Sequence, residues 1–182
     1  GLFLMGSKSV CFHQLQKVSR FLNAKGAEHL SFPVLYEAGM VCVDGSKNIS
    51  MPIIERVTFV FSASYVSGVS FPALRSVGTV ARVVGSNDLN FPSLENIGMS
   101  VEAGASVGLA FPVLKRVGGD VAAFHSENLS FPVLDRVDGK LMLEDSSGFS
   151  APKLKHVGRL SHAENALREL QNNNDTLNQG IK

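Results

Sequence analysis

The chain has 182 residues, 45% of them hydrophobic, with 17 basic and 16 acidic side chains. That is enough for one domain with a sizeable core, and Lys and Arg stand singly rather than in the basic runs that mark a nucleic-acid partner. No apolar stretch reaches the ~18 residues a membrane-spanning helix needs, so neither nucleic-acid binding nor membrane insertion is expected.

In chain order, the opening "GLFLMGSK" has too short an apolar run and no basic leader for a signal peptide. Residues 8 to 25, "KSVCFHQLQKVSRFLNAK", place Val10, Cys11, Leu15, Val18, Phe21 and Leu22 near helical spacing, with Gly26 as a stop. The expectation is a helical N-terminal cap over residues 1–29. Cys11 and Cys42 form no CxxC; two buried free thiols or one disulfide both remain open.

From Leu30 a phrase recurs: "LSFPVL" at 30 and again at 129, with "VSFPAL" at 69, "LNFPSL" at 89 and "LAFPVL" at 109. All seven prolines belong to it, at 33, 52, 72, 92, 112, 132 and 152, one step of 19 and then steps of 20. A fixed short period marks a solenoid, in which no repeat can bury its apolar face alone. Residues 30–158 therefore read as seven coils of about 20 residues, starting at 30, 49, 69, 89, 109, 129 and 149.

Numbered from the first apolar residue of "LAFPVLKRVGGDVAAFHSEN", positions 1, 3, 6 and 9 (Leu109, Phe111, Leu114, Val117) repeat as apolar columns. Proline at position 4 lacks an amide hydrogen and suits a corner. Charged residues at positions 7 and 8 read as a solvated face. Glycine at position 10 (Gly39, Gly78, Gly98, Gly118, Gly158) is expected where φ is positive or backbones crowd. From position 11 the pattern alternates, with Phe61 and Ala63, Ala81 and Val83, Val101 and Ala103, and Val121 and Ala123 as inward pairs of a repeated parallel strand. Positions 16 to 20, rich in Gly, Ser, Asn and Asp, read as a turn.

After Gly158, residues 159–182 read as a C-terminal helix. Leu160, Ala163, Leu167, Leu170, Asn174, Leu177 and Ile181 fall at alternating steps of three and four. Two readings stay open: an oligomerising coil with Leu167, Leu170, Leu177 and Ile181 in the seam and Asn174 setting register, or an apolar edge folded over the last coil.

The phrase "SFPxLxxVG", followed by a short strand and a Gly/Ser/Asn turn, resembles the leucine-rich-repeat-like units of receptor L domains and of fungal cell-wall proteins of the Ecm33 type. Phe71, Pro72, Leu74, Val77 and Gly78, with their counterparts in the other coils, carry the likeness. It implies a mainly β fold, a right-handed leucine-rich-repeat-like β-solenoid, and a non-catalytic recognition or wall-organising module at the cell surface. The tripeptides at Asn48, Asn128 and Asn174 fit glycosylation acceptors.

Other parallel β-solenoids cleave polysaccharides, which requires clustered carboxylates. Glu102, Asp120 and Glu144 lie on outward strand positions but offset from one another, near Arg82 and Lys140, as in a mixed solvated face. His13, His29, His125, His156 and His162 show no ligand spacing, so neither metal nor cofactor is expected. A polysaccharide-active enzyme is the remote alternative. Apolar residues at outward strand positions are the better pointer, because exposed apolar clusters mark contact surfaces. The candidate ligand-binding residues are Arg82, Val84, Glu102, Phe124 and Met142, with a protein or glycan as partner.

Overall fold

The computed structural model describes residues 1–66 and 69–161. Among the described residues, thirteen parallel strands stack in about eight coils: β1 (Leu2–Phe3), β2 (Lys17–Asn23), β3 (Glu37–Cys42), β4 (Arg56–Val57), β5 (Phe61–Ser62), β6 (Ser76–Val77), β7 (Ala81–Arg82), β8 (Asn96–Ile97), β9 (Val101–Glu102), β10 (Arg116–Val117), β11 (Val121–Ala122), β12 (Arg136–Met142) and β13 (His156–Ser161). Each rung pairs with its counterpart one repeat away, as Ala81 with Val101 and Val101 with Val121.

A coil has two strand segments, at positions 8–9 and 13–14. In β2, β3, β12 and β13 the two merge into one continuous strand. The register slips by one residue between Val18 and Phe21 and between Val137 and Lys140, where β3 and β13 each carry one residue fewer than the strand they pair with. Isolated bridges at positions 2 and 19, such as Asn90 with Ala110 and Val107 with Glu127, tie the remaining sides.

The corner at proline is a turn closed by the position 6 amide on the position 3 carbonyl: Leu74 to Phe71 at 3.3 Å, Leu134 to Phe131 at 3.2 Å. Proline thus occupies the second place of the turn, where its fixed φ is already correct and no amide hydrogen is needed.

The helical N-terminal cap is corrected, because residues 10–29 form a further coil. Val10, Phe12, Leu15 and Val18 occupy positions 1, 3, 6 and 9, His13 stands where proline would, and Leu15 still donates to the Phe12 carbonyl at 3.4 Å. The Phe12 ring stacks on Phe32 with centroids 5.0 Å apart, and β1 pairs with β2 in the same parallel register. At the other end β13 continues the ladder through Ser161, so residues 159–161 are strand rather than the start of a helix. The rest of the expected C-terminal helix lies outside the described residues, and no helix occurs among the described residues.

The core runs the length of the stack. Phe71, Phe91, Phe111 and Phe131 are buried, with near-parallel rings 6.2, 5.1 and 4.8 Å apart. The coil at 49 breaks the rule in a compensated way: Met51 replaces phenylalanine at position 3, and Phe61 fills position 13, its ring edge-on to Phe71 at 4.7 Å. The inward pairs expected from alternation are all buried.

A second column was hidden in what reads as turn sequence. Ser86, Ser106 and Ser126, at position 18, are completely buried. Each hydroxyl donates to a carbonyl of the preceding coil (Ser86 to Ala63 at 2.8 Å, Ser106 to Val83 at 2.7 Å, Ser126 to Ala103 at 2.6 Å). Ser106 and Ser126 Oγ also accept from the amides of Ser86 and Ser106, at 3.2 and 3.3 Å. Their polar atoms are therefore satisfied inside the core.

Candidate functional site

Alternation along β7, β9, β11 and β12 turns positions 13 and 15 into the core, so positions 12, 14 and 16 face outward. Parallel register then sets Arg82, Glu102, Ala122 and Met142 side by side at position 14. The neighbouring row, at position 16, runs Val84, Gly104, Phe124. All five residues predicted from sequence share this face. Val84, Glu102, Phe124 and Met142 are half-buried and Arg82 is exposed; the apolar members are less open than outward strand positions would suggest, because neighbouring rungs shade one another.

Four of the five line one open cavity of about 400 Å³, together with Ser100, Gly104, Asp120 and Ala122. Gly104, between Val84 and Phe124, and Ala122, between Glu102 and Met142, make the recess, since neither carries bulk. A Cβ added at Gly104 would have the Phe124 carbonyl oxygen as its nearest contact, 3.5 Å away, so this glycine leaves space that a larger side chain would fill.

Arg82 stands beside the cavity and acts on it through Glu102. Its Nε and Nη2 donate to the two carboxylate oxygens at 2.5 and 3.2 Å, the forked geometry that suits guanidinium and carboxylate. This hydrogen bonding holds the Arg82 pKa above its ordinary value. Asp120 is fixed differently: its Oδ1 accepts from the Lys140 amide at 2.7 Å, and its own amide donates to Ser100 Oγ at 3.2 Å. The cavity thus offers carboxylate acceptors on one side and Val84, Phe124 and Met142 on the other.

Among the described residues no group of three or more His, Cys, Asp or Glu side chains could hold a metal ion, and no helix is long and apolar enough to cross a membrane. The two cysteines are free: Cys11 is exposed, against the expectation of burial, while Cys42 is half-buried and its thiol is pushed up in pKa by that burial. Leu167, Leu170, Asn174, Leu177 and Ile181 lie outside the described residues.

Sequence reasoning missed Gly104 and Ser100. Gly104 falls on an outward position of the alternation, and that is its one legible signal.

Against protein-family models, curated proteins and solved structures the chain finds no match, so its parallel β-solenoid of about eight coils stands on its own geometry.

Proposed function

We propose that this chain is a non-catalytic recognition module that binds a protein or glycan through the outward strand face, as its resemblance to receptor L domains and fungal wall proteins implies. The observation that carries the reading is the convergence of Val84, Glu102, Phe124 and Met142, from four successive coils, on one recess. An aromatic ring beside fixed carboxylate acceptors suits a ligand with an apolar face and hydrogen-bond donors, and a half-buried aromatic is the usual anchor of such contacts. A cell-surface setting accords with the same resemblance.

The test is a glycan array and a panel of candidate protein ligands probed with the full chain, followed by affinity measurements on Gly104→Leu and Phe124→Ala. Filling the recess or removing its ring should weaken binding by at least about tenfold, with circular dichroism unchanged. Equal affinity in both variants would move the site off this face. Turnover of a polysaccharide by the purified chain, abolished in Glu102→Gln, would replace the reading with an enzymatic one.

A further inference from the structure

The proline corner carries a second groove, of about 550 Å³, on the coils beginning at 109, 129 and 149. Its floor is Pro112, Val113 and Val133. Its rim holds four cations, Lys115, Arg116, Arg136 and Lys153, against one carboxylate, Asp135.

Elsewhere on this side of the stack, charges cancel from coil to coil: Lys17 meets Glu37 at 2.8 Å and Arg75 meets Glu95 at 3.2 Å. Here the alternation continues at position 7, where Asp135 lies between Lys115 and Lys155, but fails at position 8. Arg116 and Arg136 are direct cross-strand partners, and Arg136 in turn faces His156. Like charges placed opposite one another on parallel strands cost stability. Asp138 relieves part of that cost by accepting from both guanidiniums, at 2.5 Å from Arg116 and in a close pair with Arg136; the two arginines hold its carboxyl below the usual 3.8. Asp135 is engaged by Lys155 at 2.9 Å. Lys115 and Lys153 have no carboxylate partner among the described residues and flank the apolar floor.

We propose that this groove is a docking site for an extended acidic peptide segment, whose small apolar side chains rest on Pro112, Val113 and Val133 while its carboxylates reach Lys115 and Lys153. Charge complementarity sets the sign of the partner. Two features favour a peptide over a sulfated glycan: the floor is aliphatic, with no aromatic platform for a sugar ring, and the adjoining guanidiniums already grip a carboxylate. This site is separate from the strand-face recess, sharing no residue with it.

A short fluorescent peptide of alternating Glu and Val, titrated with the full chain in anisotropy, tests the proposal. Binding should weaken steeply as salt screens the exposed cations, and Lys115→Glu with Lys153→Glu should lose at least about tenfold in affinity while remaining folded. Phe124→Ala should bind the peptide as the parent chain does. No binding at low salt, or equal binding by the double variant, overturns the site. Loss of peptide binding in Phe124→Ala places the peptide in the strand-face recess instead, and binding of a sulfated oligosaccharide but not the peptide overturns the choice of ligand.

Discussion

Ala105 and Gly98 show how two kinds of glycine demand arise in one coil. Among the described residues, left-handed backbone recurs at position 17 (Gly85, Ala105, His125) and at position 20 (Asp88, Gly108, Asn128). Ala105 has φ of 54° with a Cβ that this region disfavours, so Ala105→Gly should raise stability by up to about 1 kcal/mol. Gly98 has no positive φ; a Cβ there would strike the Gly78 carbonyl oxygen of the preceding coil. Gly98→Ala should therefore cost more than about 2 kcal/mol, among the larger effects of single substitutions. Denaturant midpoints of the two variants decide it, and similar small changes in both would remove the distinction. Of the two reasons that favour glycine at position 10, crowding is the one that applies. The residues at positions 17 and 20 vary too much in type for their backbone to be read from sequence.

Within a coil, apolar columns were legible because they repeat, whereas the first coil was not, because proline served as the ruler. His13 breaks that ruler, yet Val10, Phe12, Leu15 and Val18 keep the steps of the columns. Steps of three, common to positions 3, 6 and 9, also satisfy a helix, so period alone could not separate the two; the 20-residue offset of Phe12 from Phe32 could have. The serine column was obscured by a different cause, since Ser in a Gly/Asn-rich turn is ordinarily solvated. The exchange at Met51 and Phe61 is a packing solution that only neighbouring coils reveal. It predicts coupling: Met51→Phe alone should overpack the core at a cost of about 1–3 kcal/mol, and Phe61→Val alone should leave a void. Together the two changes should cost less than the sum of the singles, because the introduced ring takes up the volume the lost ring gives back. Strict additivity in a double-mutant cycle would show that the two sites do not share space.

The stack as a whole is quasi-one-dimensional, each coil contacting mainly the coils beside it. That is why the strand-face site was traceable from sequence: once the alternation fixed which residues point outward, the period placed Val84, Glu102, Phe124 and Met142 on neighbouring rungs. The recess itself was not, since it depends on what Gly104 lacks. The basic groove was masked because its residues, read singly, resemble any solvated face; only the pairing of Arg116 with Arg136 exposes the like-charge contact. One-dimensional architecture also makes the first coil a sharp test. Residues 10–29 cover the next coil through Phe12 on Phe32 and through the β2–β3 ladder, which aligns Leu22 with Val41. Deleting residues 1–29 should lower the denaturant midpoint, by removing a nearest-neighbour interface, and should reduce the slope of the transition in proportion to the surface no longer buried. The difference in far-ultraviolet circular dichroism between the full chain and the shortened one should be that of lost β structure. A helical difference spectrum would restore the N-terminal cap and remove the eighth coil.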